Sequence, residues 1–315
     1  MILVCGEALM DVFGAEPTPS GYSLDARVGG SPFNVAIGLA RMRQPAAFLA
    51  SVSTDFLGDR LCRALGDEGV DVSTVHRCAS RTTLGLVGVD AAGVPSYAFY
   101  GDGGADRQLP LSALDRLPSP LHAVHLGSYA AVVQPIASTL RALVERLRGQ
   151  CLIAYDPNLR LNVEPSLEVW RSTVDWMLPR ADIVKISDED LQLLEPGVDA
   201  EVFARRALRQ GCGLVIVTRG SRGAQGWTAQ ASAQVPGRSI TLIDTVGAGD
   251  TFQCATLTWL AEREQLTPQG VRALDADALQ ALLGFAATAA ALTCARRGAD
   301  MPRREDVDVT PAAHA

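Results

Sequence analysis

The stretch Asp244-Thr245-Val246-Gly247-Ala248-Gly249-Asp250-Thr251-Phe252 (DTVGAGDTF) runs directly into GDTFQCATLTWLAERE, which reads as a helix. Gly247, Ala248 and Gly249 then sit at the N-terminus of that helix, where unpaired backbone N–H groups point outward at the positive end of the dipole. Residues with no side chain, or a single methyl, let an anion come close. Such a nest suits a phosphate, above all one gaining charge in a transition state. Asp250 lies in the same turn and is kept ionised by the dipole. It is placed to take a proton from a hydroxyl approaching that phosphate, help typically worth ~10²–10⁴ in rate. An ordinary Asp cap beside a Gly turn is the simpler reading, but a cap needs neither Gly-Ala-Gly nor a second carboxylate at Asp244.

Outward from this point the chain alternates strand and helix. HAVHLGS (122–128), CLIAYDPN (151–158), ADIVKIS (181–187) and GLVIVTRG (213–220) are apolar strands. QPIASTLRALVERLR (134–148), EPSLEVWRSTVDWML (164–178), SDEDLQLLE (187–195) and DAEVFARRALRQG (199–211) are helices between them. Short β-branched runs separated by helices predict parallel strands buried on both faces, a doubly wound, mainly parallel α/β fold. MILVCGEALMDVFG (1–14) reads as a first strand and has no basic leader. Two stretches break the alternation: 13–30, around YSLDARVGG, and 82–107, where TTLGLVGVD and PSYAFYG read as a hairpin turning at Ala92-Gly93. They predict a small β lid (13–30 and 82–107) beside a core of 1–12, 31–81 and 108–315. Tyr97 and Phe99 would face one side of that lid, Ala98 and Tyr100 the other. One apolar face would cover a substrate, and a second copy of the chain, packing as a homodimer through the lid, would account for the other; packing of these residues against the lid's own base explains the same pattern.

The composition narrows the function. The 315 residues carry a net charge of −7, which argues against nucleic acid or an anionic membrane as partner. The uncharged run 278–295 is rich in Ala, Leu and Thr and reads as a buried helix rather than a membrane span. Seven scattered cysteines without a CxxC pair point to reduced thiols in a cytoplasm. Lys185 is the only lysine among 28 basic residues, and no Walker A motif surrounds it.

Ligands of such sheets bind beyond the carboxyl ends of the strands. Asp11, Asn158 with Arg160, the segment 187–190, the segment 218–220 and the segment 244–250 therefore form one candidate set. With GGSPFN (29–34) added, DTVGAGD resembles the C-terminal signature, and GGSPFN the N-terminal signature, of the PfkB (ribokinase-like) family of carbohydrate kinases. The resemblance spans nearly the whole chain.

It implies an ATP-dependent sugar kinase with Asp250 as catalytic base and Gly247, Ala248 and Gly249 as anion hole for the γ-phosphoryl group. Asp11, Gly29, Gly30 and Asn34 are similar to sugar-binding residues. VKISDED (184–190) resembles the nucleotide and magnesium segment, with Ser187 and Asp190 at the two motif places; any magnesium contact of the short Asp190 would run through water. A helix cap at Ser187 explains the same residues. Lys185 is a candidate for the ATP phosphates. TRGSRGA (218–224) resembles the segment beside the nucleotide, which brings in Thr218, Gly220 and Gly223. FAATAAALTCARRGA (285–299) resembles the adenine pocket, with Thr288 where the family often has Asn. Asp244 and the loop around Gly298 resemble a site for a monovalent cation, potassium, found in some members. GEALMD, SYAFYGDGGADR and DPNLR look like bacterial fructokinases, in which Phe99 closes over the sugar, Arg107 reaches in from the lid and Arg160 clamps the phosphoryl group. Fructokinase is the implied activity; ribokinase, 2-keto-3-deoxygluconate kinase and a non-catalytic sugar or nucleotide sensor stay open.

Overall fold

Alternation along short apolar strands puts one set of side chains on each face of a sheet, and both faces here are covered. The computed structural model describes residues 1–89 and 95–309. Its main sheet contains β1 (Ile2–Cys5), β4 (Ala46–Leu49), β9 (Ala123–Gly127), β10 (Leu152–Asp156), β11 (Ile183–Ser187), β12 (Leu214–Thr218), β13 (Ala224–Trp227) and β14 (Ser232–Val235). Their spatial order is β14-β13-β12-β11-β10-β9-β1-β4. Neighbours from β4 to β12 run parallel, while β13 and β14 turn back antiparallel.

Ile2, Val4, Leu152, Ala154, Leu214 and Ile216 enter one core with α1 (Ser31–Arg41), α2 (Phe56–Asp67), α7 (Ala248–Ala261), α8 (Pro268–Arg272), α9 (Ala276–Cys294) and α10 (Arg304–Val309). Leu3, Cys5, Ile153, Tyr155, Val215 and Val217 enter the other with α3 (Ile136–Leu147), α4 (Leu167–Met177), α5 (Asp188–Leu194) and α6 (Ala200–Gln210). Helix α9 is long and apolar enough to cross a membrane by length and composition. Here its Leu279, Leu282, Leu283 and Ala286 are fully buried, and Thr293 meets Thr251 of α7 at 2.7 Å between hydroxyl oxygens.

The second sheet has the order β3-β2-β7-β8, from β2 (Leu9–Thr18), β3 (Gly21–Gly29), β7 (Leu84–Val89) and β8 (Pro95–Tyr100). A two-stranded piece, β5 (Ser51–Ser53) with β6 (His76–Cys78), stands apart from both. The run 1–14, expected as one strand, is two strands in two sheets. Gly6, at φ 147°, makes the break, and a methyl there would come within 2.4 Å of Pro32 Cγ. The second sheet accordingly starts at Leu9, four residues before the boundary drawn from sequence at 13. Strands β7 and β8 pair antiparallel, with Phe99 opposite Gly85 and Tyr100 opposite Leu84, so Phe99 and Tyr100 face opposite sides. The turn expected at Ala92-Gly93 and the side chain of Tyr97 lie outside the described residues.

Candidate active site

Two helix N-termini converge on Asp250. Helix α7 opens with Gly247 in the left-handed region, φ 79° and ψ 0°, and no side chain caps it. Gly249 is exposed and Gly247 and Ala248 are half-buried. The Ala248 amide, expected in the anion hole, instead donates to the Thr245 carbonyl at 3.2 Å, closing the turn that opens the helix. Asp250, in the first turn, is buried. Its Oδ1 accepts a hydrogen bond from the Ser31 hydroxyl at 2.6 Å, and its Oδ2 accepts one from Asn34 Nδ2 at 2.9 Å. Ser31 and Asn34 belong to the first turn of α1, which begins at Gly30 with φ 111°. A methyl at Gly30 would meet the Glu7 carbonyl oxygen at 2.7 Å, so only glycine fits there. Burial raises the Asp250 carboxyl above the usual range, against the pull of Ser31, Asn34, Lys185 and Arg160. A carboxylate keeps four lone-pair sites, so Asp250 can still accept from a substrate hydroxyl.

Asp11 of β2 lies opposite Arg27 of β3 and shares the face of Phe99, which sits in the same cross-strand row with Gly85. A methyl at Gly29 would come to 2.2 Å from Asp11 Oδ2. Burial pushes the Asp11 carboxyl up to about 6, Arg160 opposes that, and the Asp250 charge adds to it. Phe99 packs edge-on against Tyr129 at 5.5 Å between ring centres. Arg107 ends a short 3-10 turn; its Nη1 is 3.4 Å from Asp102 Oδ1 and its Nε is buried without a partner among the described residues. Arg160 donates from Nη1 to the Leu159 carbonyl at 2.9 Å. Its charge acts on Asp11, Asp190 and Asp250 together.

Beneath the first turn of α7 lies a buried polar layer. Lys185 Nζ donates to Asp156 Oδ2 at 2.6 Å, and both side chains are about as buried as the core around them. Both face α7, because Ala154 and Ile183, two residues earlier on β10 and β11, point into the α7 core. A methyl at Gly249 would stand 3.1 Å from Lys185 Nζ. The ammonium therefore sits against the first turn of α7 at Gly249. His125 of β9, on the same face, is pushed down to about 3 by burial and by Lys185, so it is neutral; its Nδ1 is 3.4 Å from Gln253 Nε2 on α7. Ser187 caps α5, accepting from the Asp190 amide at 3.0 Å, the capping pattern the sequence allowed. Burial, and then the Asp156 charge, raise the Asp190 carboxyl.

Toward the β12 edge, Thr218 ends its strand half-buried, and Gly220 and Gly223 take φ of 52° and 90°. A methyl at Gly223 would meet the Val235 carbonyl at 2.0 Å. Val235, Arg238, Gly284, Phe285 and Thr288 line a cavity of about 580 Å³ beside that loop. Thr288 Oγ1 accepts from Arg238 Nε at 3.1 Å. Asp244 joins the loop after α9: its Oδ2 accepts from the Gly298 amide at 2.8 Å and its Oδ1 from the Val246 amide at 3.1 Å. Among the described residues no group of three or more His, Cys, Asp or Glu forms a ready metal cage. A larger cavity, about 860 Å³, lies at the opposite, amino ends of the strands, around Pro45, His122 and Asp182. None of the residues above lines it, and ligands of such sheets bind at the carboxyl ends.

The sequence missed Ser31, Asp156, His125 and Gln253. Ser31 stood inside GGSPFN, where a hydroxyl three residues before Asn34 was the available signal. Asp156 was the first polar residue after LIAY, at a strand's carboxyl end.

The family of pfkB carbohydrate kinases matches residues 1–306. A fructokinase from Rhizobium leguminosarum bv. trifolii is 34% identical over 280 residues, covering 89% of this chain and 86% of its own. Among solved structures, a fructokinase with bound ATP from Xylella fastidiosa superposes with a TM-score of 0.86 at 25% identity, covering 97% of this chain and 96% of that one. A fructokinase from Vibrio cholerae O395, in a form with fructose, ADP and calcium ion bound, gives a TM-score of 0.81 at 28% identity over 98% and 97%.

Proposed function

The chain belongs to the PfkB family of carbohydrate kinases, and from that premise we propose that it is a fructokinase, transferring the γ-phosphoryl group of ATP to D-fructose to give fructose 6-phosphate and ADP. The observation that carries the reading is Asp250. It is a buried carboxylate with a raised pKa, held from both sides by Ser31 and Asn34, in the first turn of a helix that opens with an exposed Gly249. Fructose as the acceptor is supported by the relatives, which are fructokinases.

In this account the sugar lies between the lid and α1, with Asp11, Asn34 and the backbone of Gly29 and Gly30 around its hydroxyls, Phe99 over it and Arg107 at its rim. Asp250 accepts the proton of the 6-hydroxyl. The oxygen forms its bond to the γ-phosphorus as the bond to the bridging oxygen breaks, and ADP leaves. The amides of Gly247 and Gly249 stabilise charge gathering on the phosphoryl oxygens, with Lys185 beneath them and Arg160 beside them. The loop of Thr218, Gly220 and Gly223, and the cavity walled by Thr288, would hold the nucleotide base and ribose.

Magnesium fits beside Asp190. Asp156 Oδ1 is buried without a partner among the described residues, and burial together with the Asp156 charge raises the Asp190 carboxyl, where a cation would relieve it. When bound it would screen the phosphates of ATP, reached from Asp190 through water. Potassium beside Asp244 would share a carboxylate already holding the Gly298 and Val246 amides. Seven free thiols support a cytoplasmic location. Tyr22, Leu24 and Tyr100, 71%, 61% and 64% exposed on the lid, support a homodimer through that sheet.

ADP release from ATP, measured with fructose, ribose, 2-keto-3-deoxygluconate and nucleosides in turn, tests the function. Fructose should give the highest kcat/KM. Turnover with another acceptor but not fructose would reassign the substrate, and no ADP release with any of them would overturn the kinase reading.

A further inference from the structure

We infer that Arg27 is a phosphate-binding residue carried by the lid, engaging the terminal phosphoryl oxygens of ATP. The inference rests on the kinase reading for the identity of its ligand. Three observations lead to it. First, Arg27 stands opposite Asp11 across the β2–β3 pair, and residues so paired project from the same face. Its guanidinium lies 5.7 Å from the centre of the Phe13 ring, two residues along that face from Asp11. Arg27 therefore points to the same side as Asp11 and Phe99.

Second, the guanidinium crosses to the core. A methyl built on Gly298 would come within 3.1 Å of Arg27 Nη1. The Gly298 amide holds Asp244, and the next residue, Ala299, abuts Gly247: a methyl on Gly247 would lie 2.7 Å from Ala299 Cβ. Arg27 thus stands at the rim of the amide cradle opened by Gly247.

Third, its present partner is expendable. Arg27 bonds Asp25 through Nε at 2.9 Å and Nη2 at 2.7 Å, and the two side chains are 36% and 48% exposed. Such an exposed pair holds its members weakly. Lys185, by contrast, is locked to a buried Asp156. A guanidinium fork matches phosphoryl oxygens better than a single carboxylate oxygen in water. With this cation on the lid and the amides on the core, a triphosphate would be gripped only when the lid stands over the sugar.

Titration calorimetry with a non-hydrolysable ATP analogue and with ADP, on the wild type, Arg27→Gln, Arg27→Lys and Asp25→Asn, tests this. Arg27→Gln should weaken the triphosphate about tenfold or more, the size of a charged hydrogen bond lost, and change ADP and fructose binding less than threefold. Arg27→Lys should recover part of the loss. Asp25→Asn, which frees the guanidinium, should tighten the triphosphate. Equal weakening of ADP and the triphosphate, or no change in either, would overturn the inference. A chain that discriminates the two nucleotides through Arg27 but phosphorylates no sugar would refute the kinase reading and leave this inference standing.

Discussion

Glu7 sits on the turn where the chain leaves the core for the lid. It is 1% exposed, with Oε2 unpartnered among the described residues. Burial raises its carboxyl from 4.5 to about 7, and the neighbouring Asp106 charge adds to the rise. A carboxyl whose pKa is higher in the folded chain favours folding below its unfolded value and loses that contribution as pH climbs through the folded one. The loss falls between about pH 4.5 and 7 and amounts to roughly 2–3 kcal/mol. Glu7→Gln keeps the shape and removes the titration. Urea unfolding at pH 5 and pH 8 should show the wild type losing roughly 2–3 kcal/mol more than the variant between the two. Identical losses would mean that Glu7 is solvated or paired in solution. At this scale two short motifs carried the expectations: DTVGAGD drew attention to Asp250 by its residues, while Gly29, Gly30 and Asn34 came from the family resemblance of GGSPFN, and the structure brings Asn34 against Asp250. Glu7 lies within GEALMD, but nothing in the sequence says that a carboxylate beside the first strand is buried.

Helices α1 and α7 must cross closely for Ser31 and Asn34 to reach Asp250, and Gly38 permits it. A methyl at Gly38 would stand 2.5 Å from Cys254 Sγ and 3.2 Å from its Cβ. Gly38→Ala should cost about 1–3 kcal/mol of stability through overpacking. Adding Cys254→Ala should restore most of it, read as coupling in a double-mutant cycle of thermal unfolding. Additive effects would place the two helices farther apart than described. Elements of regular period were legible: β9 to β12 and α3 to α6 lie within three residues of their expected places. Strand β2 was not. Gly14 and Pro17 lie inside it: among the described residues β7 pairs with β2 from Met10 to Phe13, and the β2–β3 register shifts between Gly14 and Pro17. The missing N–H of Pro17 therefore costs no bond to β7.

At the scale of the whole molecule the site draws on the β1–β2 turn, two helix starts, two adjacent strand ends, the lid and the loop after α9. Strand alternation and the two signatures made the doubly wound core and its lid foreseeable. Contacts that depend on which strands lie side by side were not: Lys185 stood out only as a solitary lysine, and its pairing with Asp156 needs β10 next to β11. In the proposed reaction one carboxylate in the first turn of α7 removes the acceptor's proton while the amides at the start of that helix receive the phosphoryl charge. Its most direct test is turnover of Asp250→Asn with saturating fructose and ATP, alongside equilibrium binding of each. The account predicts a fall in kcat of at least about a thousandfold with both ligands still bound; a variant within tenfold of the wild type would contradict it.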